Sequence, residues 1–148
     1  MKAVDTNVLV YAEITNSRHH SRANKLLIEL AQSSAPWAIP WPCAYEFLRI
    51  LTHAKVYHPP VSIEVALQDL NSILASPSLS MLAETGSHPA ILERVVRQSG
   101  ATGNLIHDAH IVALCLEHGV TELLTADRDF TRFSGLKINN PFLNPLVS

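Results

Sequence analysis

A chain of 148 residues is about one domain's worth and long enough to bury one proper core. Its net charge of -2 at pH 7 excludes a global positive field that would draw in nucleic acid, so a polyanion would have to be met by local basic residues or by metal ions. With 47% hydrophobic and only 16% charged residues, against a usual charged share of roughly 25%, there is too little charge to coat the surface, and some apolar surface is expected to meet a partner.

Residues 2–5 read as a short buried strand, and TNVLVYA after it as a turn running straight into a helix, which leaves Asp5 at the strand's C-terminal end. Residues 19–33 set Ala23, Leu26, Leu27 and Leu30 at helical spacing with Arg22, Lys25 and Glu29 outward, the pattern of an amphipathic helix. WAIP is a short extended piece, and Pro42 suits the first position of a helix over 41–55 whose stripe is Ala44, Phe47, Leu48 and Leu51. Trp37, Trp41, Tyr45 and Tyr57 gather around that helix, and aromatics of this sort favour interfaces.

Ser62 caps a further helix that ends before Pro77, LSML reads as a strand and 88–99 as a helix. NLIHDAHIVALCLEHG is a strongly patterned helix closed by Gly119, followed by ELLT and LKIN as the last strands. Short strands alternating with helices imply an α/β fold with a parallel sheet covered on both faces. Without repeats or a long linker, residues 1–148 read as a single domain. No run approaches the ~18 apolar residues of a membrane span, and a cytoplasmic location is expected. Cys43 and Cys115 sit in apolar helical patterns, where two reduced core residues are expected.

Most of the 13 acidic residues, Glu13, Asp69, Glu84, Glu117 and Asp129 among them, read as solvated faces, turns or caps. Asp5, Glu46, Asp108 and Asp127 are harder to place in that way. Glu46 shares its side of the helix with Cys43 and Ile50, and Asp108 shares its side with Leu105, Ile111 and Val112, so both are expected to point inward. A buried carboxylate needs a cation or a set of donors. Arg49 is placed about 100° around the helix from Glu46, which leaves a metal ion as the better partner.

Singly, each acid also has an ordinary reading: Asp5 as a helix N-cap, Asp108 as a first-turn acid, Asp127 as a turn residue and Glu46 as a half-exposed helix acid. Jointly, Asp5 and Asp127 each follow a strand and Asp108 lies near a helix start, positions that converge on the crevice beyond the C-terminal ends of a parallel sheet. The eight histidines raise zinc as a rival, with His107 and His110 as an i, i+3 pair, but no third ligand stands at a recognised spacing. DTNV also resembles the nucleophile motif of haloacid dehalogenases, which wants a second Asp where this chain has Asn7.

The ordered set AVDTNVLVYA, AYEFLRIL, LIHDAHIVALCLEHG and LLTADRDFTRF resembles the PIN-domain ribonucleases, and specifically the VapC-type toxins of toxin-antitoxin pairs, over essentially the whole chain. The resemblance implies a three-layer α/β/α sandwich and a divalent-metal site made by Asp5, Glu46, Asp108 and Asp127, with Asn7 and Thr125 in support. Asp127 is preferred to Asp129 because it follows LLTA directly, while Asp129 suits the N-cap of a short turn of helix. All-oxygen ligands suit Mg²⁺, with Mn²⁺ as substitute. The implied activity is hydrolysis of RNA phosphodiesters, and the implied partners are a second copy of the chain and an antitoxin protein. A PIN-type RNA-processing nuclease without an antitoxin, or a non-catalytic PIN-like interaction module, are the competing readings. The RNA cut and the number of ions are left open.

Overall fold

The computed structural model describes residues 1–143; the last five residues of the expected 1–148 domain lie outside the described part. Five short strands alternate with six helices in the order β1 (Lys2–Val4), α1 (Thr6–Glu13), α2 (His20–Gln32), β2 (Trp37–Pro40), α3 (Trp41–Thr52), α4 (Ile63–Leu74), β3 (Leu79–Leu82), α5 (His88–Ser99), α6 (Leu105–Glu117), β4 (Glu122–Leu124) and β5 (Lys137–Asn139). A 3-10 turn at Arg128–Arg132 joins the last two strands.

The strands form one sheet in the order β3-β2-β1-β4-β5, and every neighbouring pair is parallel. The chain therefore runs outward from β1 through β2 to β3, then returns across the sheet to β4 and continues to β5. Right-handed crossovers put the helices of the outward run on one face and those of the return on the other. The packing agrees: α1 touches α2 and α3, α3 touches α4, and α5 and α6 pack on each other. The result is a three-layer α/β/α sandwich, and the reversal of strand order falls between β1 and β4.

The core lies in both interlayer spaces. Val4, Leu9, Ile39, Phe47, Val112, Leu114 and Leu123 are fully enclosed. At roughly 25 cal/mol per Å² of apolar surface, each such side chain stabilises the fold by about 1.5–3 kcal/mol. Cys43 and Cys115 are free and buried, as the apolar patterning suggests. Trp37 departs from its expected interface role: it is 2% exposed, and its indole N–H donates to Ser78 Oγ at 3.1 Å. Trp41 and Tyr45 instead stack with ring centroids 5.9 Å apart, and Tyr45 is 64% exposed. Among the described residues no helix is long and apolar enough to cross a membrane.

Two acids assigned to solvated faces are not fully solvated. Glu117 has no accessible side-chain surface. Glu13 lines a cleft between α1, α2 and α4 together with Asp69. Burial, then a hydrogen bond with Asp69 and that residue's charge, push the Glu13 carboxyl from an ordinary 4.5 up to about 7. The folded state thus holds a proton that the unfolded chain releases, so this pair makes stability fall as pH rises from 4.5 to about 7. Glu13→Gln should flatten that slope and raise the melting temperature above pH 7 by up to about 3 °C, once solvent screening of a half-exposed pair is allowed for. Equal pH slopes for variant and parent in calorimetry would refute the assignment.

Candidate active site

Beyond the C-terminal ends of the paired strands β1 and β4 lies a crevice that no crossover covers. Asp5, the residue after β1, hydrogen-bonds through its N–H to Leu124 O at 3.0 Å and thereby continues the ladder for one step beyond the strand. Its side chain then turns to cap α1, accepting from Thr6 N at 2.8 Å. The cap and the member of a buried acidic group are therefore one residue performing both tasks.

Four donors hold the Asp5 carboxylate. Oδ1 accepts from Thr6 N and from the Cys43 thiol at 3.5 Å, and Oδ2 accepts from Thr125 Oγ1 at 2.7 Å and Asn7 Nδ2 at 3.1 Å. Thr125 is 1% exposed and receives the N–H of Asp127 at 3.0 Å, while Asn7 Oδ1 accepts from Ala126 N at the same distance. Asn7 and Thr125 thus tie the end of β1 to the end of β4 and fix where Asp5 and Asp127 stand. Burial pushes the Asp5 carboxyl up, the donors from Thr125, Thr6 and Cys43 pull it back, and the charge of Asp127 adds to a net rise.

Asp5, Asn7, Glu46, Asp108 and Asp127 all line one cleft of about 690 Å³. Asp108 enters it from the first turn of α6, half-buried. Burial, then the charges of Asp127, Asp5 and Asp129, push its carboxyl from 3.8 up to about 6. Burial disfavours the charged form, and the like charges beside it add to that effect. Asp108, Asp127 and Asp129 can each bring a carboxylate oxygen within 4.8 Å of the others. Asp5 stands outside this closest group, deeper in the cleft.

Three expectations need correction. Asp127, not Asp129, is the N-cap of the 3-10 turn: its Oδ1 accepts from Asp129 N at 2.9 Å. Asp129 lies in the acidic group instead of only capping a turn. Glu46 does line the cleft, but it has a basic partner: Arg49 Nε donates to Glu46 Oε2 at 3.0 Å and Arg49 Nη2 meets Oε1. Three residues along a helix leave the two about 60° apart, within reach of each other. The hydrogen bond to Arg49 holds the Glu46 carboxyl below its usual value, although partial burial opposes it.

Cys43, Thr6 and Arg49, which touch Asp5 or Glu46, had no place in the expected set. A spacing signal existed only for Arg49, at i+3 from Glu46. Arg49 is also the sole Lys or Arg lining the cleft among the described residues.

Comparison with known proteins agrees with this fold. The family model for the PIN domain matches residues 2–136. Ribonuclease VapC43 of Mycobacterium tuberculosis is 36% identical over 141 residues, covering 95% of each chain. Ribonuclease VapC48 of the same species is 32% identical over 138 residues, covering 93% of this chain and 95% of the other. Among solved structures, VapBC2 from Rickettsia felis, bound to a DNA fragment from its promoter, superposes with a TM-score of 0.66 at 20% identity, covering 94% of this chain and 97% of that one. The M. tuberculosis toxin VapC20, described as cleaving the sarcin-ricin loop, gives a TM-score of 0.65 at 17% identity, with 93% and 99% coverage. The chain belongs to the PIN-domain family, among the VapC ribonucleases.

Proposed function

We propose that this chain is a Mg²⁺- or Mn²⁺-dependent endoribonuclease and the toxin of a toxin-antitoxin pair, with Asp5, Glu46, Asp108 and Asp127 as its catalytic acids. The observation that carries the reading is the gathering of acids from the ends of β1 and β4 and the start of α6 in one cleft, where burial and then the neighbouring acids push Asp108 up to about 6. An all-oxygen donor set under such strain fits a hard divalent cation. Asp108 and Asp127, with Asp5 behind them, would hold it. When bound there, the ion supplies charge neutralisation for a phosphodiester, a lowered pKa for water and stabilisation of the leaving oxygen.

The chain's own groups set the geometry. Thr125, Asn7 and the Thr6 N–H fix Asp5 in one rotamer, so its charge is presented without reorganisation during the reaction. Glu46, clamped by Arg49, faces the acids across the cleft and is placed to orient water, while Arg49 offers donors to a phosphate. Incubating the purified chain with RNA and Mg²⁺ should produce new internal ends; RNA left intact under those conditions would sink the proposal.

Within the acidic group, Asp127→Asn should lower the cleavage rate by about 10–100-fold, the scale of lost metal-site support. Asp129→Asn should cost less than about tenfold, because Asp129 is exposed and does not line the cleft. Rates in the reverse order would reassign the fourth acid.

Partners follow from the relatives, several of which were solved as toxin-antitoxin complexes. The apolar surface expected from composition is present on α4, where Ile63, Val65 and Leu67 are 47%, 46% and 42% exposed. We expect a dimer at micromolar concentrations, and inhibition by a small protein that brings a basic side chain to the acids. A strictly monomeric sedimentation profile, with no inhibition on co-purification, would count against both contacts.

A further inference from the structure

The loop after β3, the start of α5 and the middle of α6 meet beside the cleft and bring Glu84, His88 and His110 together. Each can offer a ligand atom within 4.8 Å of the other two. His110 Nε2 lies 2.7 Å from Glu84 Oε1, and the rings of His88 and His110 have centroids 5.4 Å apart. None of the four acids proposed for catalysis belongs to this group.

A further carboxylate prepares it. Glu117, whose side chain has no accessible surface, receives Thr85 N and Thr85 Oγ1 on Oε1, each at 2.8 Å, and His88 Nδ1 on Oε2. With Nδ1 of His88 turned to Glu117 Oε2, the neutral imidazole that donates there keeps its lone pair on Nε2 for a ligand. A buried carboxylate that fixes the tautomer of a histidine is the arrangement found behind metal-ligating imidazoles.

We propose that Glu84, His88 and His110 form a second cation site, on the edge of the acidic cleft and sharing none of its four acids, that takes a zinc-class transition metal ion. Two imidazoles and one carboxylate match the three protein ligands of an open tetrahedral zinc site, with water in the fourth position. Bonds of about 2.0–2.1 Å would bring the ligand atoms to about 3.3 Å apart. The exposed Glu84 and half-buried His110 can close that distance by side-chain rotation, with His88 held by Glu117. Nitrogen donors also separate this site from the acidic group, whose oxygens suit Mg²⁺. Binding would pin the β3–α5 connection to α6 where His110 also walls the cleft.

The test is titration of the metal-free chain with ZnCl₂ alone, followed by calorimetry and by melting temperature, with Co²⁺ absorption as a report of tetrahedral nitrogen and oxygen ligation. One ion per chain and a raised melting temperature are expected in the parent and equally in Asp108→Asn. Glu84→Gln, on the surface, and His88→Ala should lose both signals. Glu117→Gln should weaken zinc binding by about 10–100-fold. No zinc binding, or binding that survives Glu84→Gln and His88→Ala but disappears in Asp108→Asn, would overturn the site. The Asp108→Asn arm keeps that outcome distinct from failure of the nuclease proposal, which is read from RNA cleavage in Mg²⁺.

Discussion

Asp5→Asn should lower RNA cleavage by at least about a hundredfold, the scale of losing one electrostatic stabiliser from an active site, while leaving the fold in place. The amide is nearly isosteric, but it carries no charge for a cation. It also faces four donors: Thr6 N, the Cys43 thiol, Asn7 Nδ2 and Thr125 Oγ1. Its NH₂ can satisfy only one orientation, by donating to the Thr125 hydroxyl and displacing Asn7, at a cost of about 1 kcal/mol. Against that cost, removing the charge relieves a buried carboxylate whose ionisation folding disfavours. The two effects oppose each other, so the melting temperature should move little. A variant that cleaves at the parent's rate would show that Asp5 is structural only, and a variant that fails to fold would show that its cap outweighs its charge.

Chelation should have a comparable effect by a different route. EDTA is expected to abolish cleavage, and Mg²⁺ or Mn²⁺ to restore it, because the donors in the cleft are hard oxygens. The same ions should stabilise the protein in a pH-dependent way. In the metal-free chain Asp108 is pushed from 3.8 to about 6, so the folded state binds the extra proton and stability falls as pH rises between those values. A cation replaces that proton. The rise in melting temperature on adding Mg²⁺ should therefore be full at pH 7.5 and shrink as pH drops below about 6, where protons compete for the ligand. Cleavage that persists in EDTA, or a stabilisation indifferent to pH, would contradict a site built on Asp108.

Local signals in the sequence were sufficient for the elements and for the end of β1. Alternating short apolar runs and helical stripes located every strand and helix to within a few residues, since each owes its position to a pattern confined to its own segment. Asp5 was legible because a carboxylate in an apolar run is costly wherever it lies. What failed was pairing across space. Glu117 sits near the end of α6, next to the closing Gly119, and looked solvated; it is enclosed because α5 packs on α6 and brings Thr85 and His88 to it from about thirty positions earlier. His110 likewise found its neighbours through the fold and not at any sequence spacing. Glu46 and Arg49 were a different failure, one of helical geometry, since i, i+3 residues are adjacent on the surface. Asp127 and Asp129 exchanged capping roles because two acids two positions apart offer the same local pattern, and the ladder from Thr125 decides between them.

The pairing of β1 with β4 joins Val4 to Leu124, and the hydroxyl that holds Asp5 belongs to Thr125. Protein synthesis reaches these two strands far apart in time: at about 5–20 residues per second, roughly ten seconds separate them. Glu46 and then Asp108 are added during that interval, yet until β4 follows them β1 has no neighbour on its β4 side and Asp5 lacks the Thr125 hydroxyl. A chain on the ribosome, surrounded by the cell's most abundant RNA, is therefore without a formed cleft until β4 and Thr125 have emerged. An order of strands that starts the sheet at β1 and pairs it with β4 only after β2 and β3 keeps the cleft unformed until β4 has been made.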